Sequence, residues 1–180
     1  MKIIKTILLL VLSAFIYSCD TNLPFTERYN PDANLARERP IIASFLETAP
    51  YDSLYRIHDP KGVVVIVQEE GTGVKPKPNT MVYINFVGKL LDGTVFDTNI
   101  RAVAEEHGLH TEERTYAPFD FPLNQGRAIE GFSVGFRHLR SGSKAVLIIP
   151  SNLAYQDQAR GERVPPNSIL LFEVDFLGID

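Results

Sequence analysis

An α+β domain, an antiparallel sheet covered by one short helix, is what the sequence predicts, and three observations predict it. Segments rich in Val, Ile, Leu and Phe carry strand patterning, most clearly over residues 81–91, 144–150 and 168–179. The 12 Gly and 12 Pro are ordinary in number for 180 residues but are bunched between those segments, as tight turns require. Helical spacing in the second half is confined to Phe132, Phe136 and Leu139, at i, i+4 and i+7, with Ser141-Gly142 to stop it. A sheet that hides one face beneath a single helix is the layer arrangement these elements allow.

Taken in order, the chain opens with Lys2 and Lys5, an apolar run over residues 6–17, and then Ser18-Cys19. That run falls short of the roughly 20 residues a spanning helix needs, so residues 1–18 are expected to be a signal peptide. Ile16-Tyr17-Ser18-Cys19 resembles a bacterial lipobox, which implies cleavage before Cys19, acylation of that residue and anchoring to an envelope membrane. The competing reading is a plain secretory peptide in which Cys19 is incidental. Residues 19–57 are expected to form a tether, without period over 20–39 and with a short helix over 40–48. Ile41, Ile42, Phe45 and Leu46 supply that helix's apolar spacing, Pro40 suits its first turn, and Pro50 lies beyond its end. Whether it packs on the domain or on a partner is left open by the sequence.

The domain itself is expected over residues 58–180. Residues 62–68 read as a strand, and 81–91 as a second with Val82, Ile84 and Phe86 on one face. Asp92-Gly93 turns the chain into a return strand at Thr94-Val95-Phe96. Residues 98–117 form a long polar connection holding His107 and His110, then Phe119, Phe121 and Leu123 alternate as a short strand. In the last strand Leu170, Phe172, Val174 and Phe176 share a face.

Composition excludes several classes. A net charge of -4 without clustered Lys and Arg is no nucleic-acid surface. One cysteine closes no intramolecular disulfide and builds no thiolate zinc site. His107 and His110, in an acidic loop, are expected to be solvated rather than to hold a metal. Gly71-x-Gly73 leads into Lys-Pro-rich turn sequence instead of a helix, so it is no phosphate cradle. Neither Ser151 nor Ser168 has a histidine partner in a recognisable motif.

Six motifs in order carry a resemblance: V-x-I-x-F-V-G-K-L-L-D-G-T-V-F-D over 82–97, P-F-D-F-P-L over 118–123, A-I-E-G-F over 128–132, G-S-K-A-V-L-I-I-P-S-N-L-A-Y over 142–155, V-P-P-N over 164–167 and L-L-F-E-V over 170–174. Over residues 62–179 the sequence resembles the FKBP-type peptidyl-prolyl cis-trans isomerases. The resemblance implies a curved antiparallel sheet wrapped around one short helix, and a cofactor-free activity on proline-containing polypeptides. It also implies a cleft in which Asp97, Tyr155 and Phe132 are catalytic and Phe86, Phe96, Phe119, Ala128, Ile129, Val164 and Phe172 bind substrate. Phe132 would form the floor, the Ile129 N–H and the Tyr155 hydroxyl would hold polar atoms, and Asp97 would orient the amide or pair with Arg101 or Arg114.

The sequence departs from the family pattern in four places. Phe86 stands where tyrosine is usual, Phe132 where tryptophan is usual, and Gln156 where glycine commonly follows the tyrosine. The connection over 98–117 is longer than in the minimal family domain. An isomerase assisting protein folding in the envelope is the leading expectation. The alternative is an FKBP-like chaperone or binding module of an envelope complex, such as one of gliding motility, with little isomerase activity.

Overall fold

Alternation along the central strand organises the molecule. In the computed structural model, which describes residues 29–180, Val82, Ile84 and Phe86 point from β3 (Met81–Leu90) into the main core. The signal peptide and Cys19 lie outside the described residues. β3 pairs along one side with β7 (Leu170–Ile179) and along the other with β5 (Phe119–Pro122) at one end and β4 (Val95–Thr98) at the other. β6 (Lys144–Ile149), β2 (Val64–Glu69) and β1 (Tyr55–His58) continue beyond β7, giving the order β1-β2-β6-β7-β3-β4, every pairing antiparallel. Register shifts at Tyr83/Ile84 and Gly88/Lys89 mark bulges of the kind that bend a sheet.

Among the described residues three α-helices accompany the sheet: α1 (Pro31–Thr48), α2 (Arg101–Glu106) and α3 (Glu130–Phe136). α3 fills the concave side. Phe132, Val134 and Phe136 enter the core with Phe121, Leu147, Phe172 and Phe176, and Gly131 and Gly135 bring its backbone against β6. A Cβ at Gly135 would stand 2.9 Å from Leu147 Cδ1, closer than side chains tolerate. Leu139, past the end of α3, is also buried, so the i+7 position does its packing from a turn.

Two expectations are corrected. The stretch over 20–39 is not wholly a tether, because α1 begins at Pro31 and runs unbroken to Thr48. Asn30 caps it, its side chain accepting from the Ala33 N–H at 3.0 Å, and Pro31 takes the first position, where a missing N–H costs nothing. Pro40 therefore sits inside a helix, leaving the Ala36 carbonyl without its usual donor. β1 likewise lies within the former tether, so the ordered sheet starts at Tyr55.

The structure also settles what α1 packs on. Ile42 is buried with Val64, Ile66, Val146, Ile148, Ile169 and Leu171 on the sheet face opposite α3, and Phe45 and Leu46 pack alongside. The second correction concerns residues 98–117, expected to be a long polar loop. They hold α2, whose one buried residue, Ala104, anchors it beside β4.

Candidate active site

A cleft of about 740 Å³ opens between the N-terminal end of α3 and the concave sheet. Its base is aromatic. Phe132, carried on α3, meets Phe172 of β7 edge-to-face at 4.7 Å between ring centroids and Phe86 of β3 at 6.5 Å. Phe119 of β5 closes one side, 5.8 Å from Phe86. Edge-to-face packing of this kind is favourable beyond simple area burial and holds each ring at a fixed tilt. Phe86, Phe132 and Phe172 are all nearly buried, so the base is a cut through the core rather than a surface patch.

Polar groups stand on the rim. Ile129, immediately before α3, makes no backbone N–H bond among the described residues, and Ala128 lies beside it on the cleft wall. The Tyr155 hydroxyl has no hydrogen-bond partner among the described residues either. Burial, reinforced by the nearby Asp97 charge, pushes its ionisation upward, against a smaller opposing effect of Arg160. It is therefore a protonated donor at any physiological pH. The Arg160 guanidinium lies 4.8 Å from the centre of the Tyr155 ring, a cation–π contact that fixes the ring's other face.

Asp97 lines the cleft, and its carboxylate pairs with Arg114 at 2.7 Å. Arg101, the other cation considered for it, turns instead to Glu105. Arg127 and Asp120 form a further rim pair at 2.9 Å. Pairs this exposed contribute little to stability but orient the side chains that make them.

Of the residues expected in the cleft, Phe86, Asp97, Phe119, Ala128, Ile129, Phe132, Tyr155 and Phe172 are brought together there. Phe96 and Val164 are not among its lining residues. Phe96 packs behind it, edge-to-face on Phe172 at 5.6 Å, over a bulge where Gly88 leaves room for both rings. Val164 is buried, and its backbone bridges to Arg160, which places it under the loop rather than in the opening.

No sequence motif points to Asn99. Buried at the root of the long connection, it accepts from the Phe86 N–H at 2.7 Å and donates to the carbonyls of Ile84 and Ala117 at 3.1 and 2.9 Å. Thr98 adds a bond from its hydroxyl to the Phe86 carbonyl at 2.7 Å. These side chains lock both ends of the insert to the strand that carries Phe86. Arg114, Thr115 and Ala117 thereby become part of the cleft wall. Within the insert His110 reaches Tyr116 and Glu112. Gln156 adopts φ +57°, the left-handed conformation that glycine supplies without strain, so the turn survives the replacement.

The comparisons with known proteins agree with this geometry. Residues 72–177 match the family model described as FKBP-type peptidyl-prolyl cis-trans isomerase. The chain is 31% identical over 153 residues to a probable FKBP-type peptidyl-prolyl cis-trans isomerase FkpA of Neisseria meningitidis, across 85% of this chain and 50% of that one. It therefore spans about half the length of that relative. FK506-binding protein 2 of Yarrowia lipolytica is 34% identical over 119 residues, 66% of this chain and 74% of its own.

Among solved structures, a peptidyl-prolyl cis-trans isomerase of Pseudomonas syringae superposes with a TM-score of 0.62 at 26% identity, covering 84% of this chain and 96% of that one. FkpA of Escherichia coli superposes at 0.60 with 28% identity, covering 83% and 62%. A bent antiparallel sheet closed over one helix, an aromatic cleft at that helix's N-terminal end and a family match across more than half the sequence agree: this chain belongs to the FKBP-type peptidyl-prolyl cis-trans isomerases.

Proposed function

We propose that the protein catalyses cis-trans isomerisation of X-Pro bonds in unfolded or partly folded polypeptides. The observation that carries this reading is an aromatic base, Phe86, Phe132 and Phe172, combined with two unused donors, the Ile129 N–H and the Tyr155 hydroxyl. Rotation about the amide bond is opposed by about 18–20 kcal/mol of barrier because resonance gives C–N double-bond character. Twisting removes that resonance and withdraws charge from the carbonyl oxygen, so the twisted amide is less polar than either planar isomer. A water-poor aromatic cleft then favours the transition state over the ground state, which is differential binding without a nucleophile or a proton transfer. The two donors orient the flanking peptide while the proline ring rests on Phe132. Asp97, held by Arg114, presents a fixed negative edge to the rotating group.

A protease-coupled assay on an X-Pro tetrapeptide tests this directly. Wild type should accelerate the cis-to-trans phase, and Asp97→Leu should lower kcat/KM about tenfold, the worth of one charge-assisted hydrogen bond. A wild-type rate equal to buffer would sink the enzyme reading. The insert favours a second reading, since Arg114, Thr115 and Ala117 extend the cleft beyond the space of a proline ring. Peptide binding without rate acceleration would make the protein a binding module of that kind.

The proposed setting is the bacterial envelope, with the domain tethered through acylated Cys19 and assisting the folding of proteins there. The basic, apolar, Ser18-Cys19 order of the N-terminus supports it. No helix among the described residues is long and apolar enough to cross a membrane. Cells fed an alkynyl fatty acid should label the wild-type protein and not Cys19→Ser; equal labelling of both would remove the anchor.

A further inference from the structure

We propose that Glu38, carried on α1, is a positioning residue that sets the place of Tyr155. The inference rests on the reading of Tyr155 as a donor at the cleft rim. Glu38 lies ahead of the segment that matches the family, in the middle of a helix on the far side of the sheet from α3. It is 2% exposed. A carboxylate so buried is costly unless strongly hydrogen-bonded, and the nearest cation, Arg37, stays 4.0 Å away and is itself exposed. Its satisfaction comes from one residue. The Ser151 backbone N–H donates to it at 2.8 Å, and the Ser151 hydroxyl donates to its other oxygen. Both are charge-assisted bonds, shorter and stronger than neutral ones.

Ser151 is fully buried and begins the turn that follows β6. Its carbonyl accepts from the Ala154 N–H at 3.0 Å and from the Gln156 N–H at 2.9 Å, the two residues flanking Tyr155. Gln156 is held in the left-handed region, which a residue of its kind rarely occupies unless its neighbours impose it. The Gln156 carbonyl accepts from the Asn167 N–H at 2.7 Å on the opposite side. One line of hydrogen bonds therefore runs from the Glu38 carboxylate through Ser151 to both shoulders of Tyr155. Without Glu38, the buried Ser151 N–H loses its acceptor and the turn that imposes the Gln156 conformation loses its fixed end.

The experiment uses the full chain labelled with 3-fluorotyrosine. Loss of one 19F resonance in Tyr155→Phe assigns the Tyr155 signal. Glu38→Gln preserves size but turns an amide toward two donors, and Ser151→Ala removes one of the two bonds while keeping the backbone. Ile42→Ala is the control, because it removes apolar packing one turn beyond Glu38 without touching Ser151. Glu38→Gln and Ser151→Ala should shift or broaden the Tyr155 resonance and raise KM for an X-Pro peptide about five- to tenfold with a smaller change in kcat. Ile42→Ala should change neither, although it lowers stability. Adding Glu38→Gln to Tyr155→Phe should cost no further activity, since both act through one hydroxyl. An unmoved Tyr155 resonance in Glu38→Gln, or an equal movement in Ile42→Ala, overturns the inference. If wild type proves inactive, the enzyme reading fails while the resonance still decides whether Glu38 positions Tyr155.

Discussion

Phe132→Ala should reduce kcat/KM about a hundredfold and lower the melting temperature by roughly 10 °C. The two losses have one origin. The ring is nearly buried and touches Phe86, Phe121, Phe136 and Phe172, so its removal takes away the cleft floor and opens a cavity in the core. Phe-to-Ala changes at such sites cost about 3–5 kcal/mol, a large share of the 5–15 kcal/mol typical of a whole domain. At about 2–4 °C per kcal/mol for a chain of this size, the thermal shift follows. The catalytic loss is the apolar contact with the proline ring, about 2–3 kcal/mol of burial made unavailable to the transition state. Phe132→Leu separates the effects, keeping most of the volume and stability while flattening the floor. Turnover of folded Phe132→Ala within about twofold of wild type would place the substrate elsewhere.

Asp59→Asn should cost roughly 2 kcal/mol at neutral pH and flatten the acid limb of the stability curve. Asp59 follows β1, and its side chain is fully buried. It accepts from the Lys61 N–H at 2.9 Å, from His138 Nε2 at 2.8 Å and from the Arg137 guanidinium, joining the β1–β2 turn to the end of α3. Burial pushes its ionisation up, but the hydrogen bonds from Arg137, His138 and Lys61, with the Arg137 charge, more than offset it and hold the carboxyl at about 2, against an ordinary 3.8.

A folded-state value below the unfolded one means the acid stabilises the fold above about pH 4, and that the contribution disappears as pH falls toward 2. A tenfold change in acid strength between the unfolded and folded states corresponds to about 1.4 kcal/mol, which gives the expected size. Urea unfolding at pH 7, 4 and 3 measures it. Wild type should lose about a third of this increment, roughly 0.8 kcal/mol, between the last two points and Asp59→Asn should not; parallel curves would show that the carboxylate is not what ties the turn to α3.

Patterning revealed those parts of the molecule where apolar residues do the structural work. β3 and β7 are long and β6 is buried from Ala145 onward, and their side chains alternate or run together as the physics of a covered sheet demands. α1 was legible over 40–48 but not over its first half, because its inward face there reads Asn34 and Glu38: correctly spaced with Ile42 for a helix, but polar. β1 is a four-residue edge strand with mostly exposed side chains, and α2 buries a single alanine, so neither has a period to detect.

The site shows the same division. Phe86, Phe119, Phe132, Phe172 and Tyr155 were legible because their order along the chain matches a motif set. Asn99, Arg160 and Glu38 act through geometry that no spacing announces. The two buried acids among the described residues, Glu38 and Asp59, fall before the family-matched segment, and composition alone assigns such residues to the surface.

The Glu38–Ser151 contact joins residues 113 positions apart. α1 is made early during synthesis and is capped by its own Asn30, so it can form as a local helix, yet the strands it covers, β6 and β7, and the serine that satisfies its glutamate are made near the end. A helix translated well before the strands it covers is thus among the last elements to settle, and the outer face is not sealed, nor the rim finished, until β6, Ser151 and β7 have been translated.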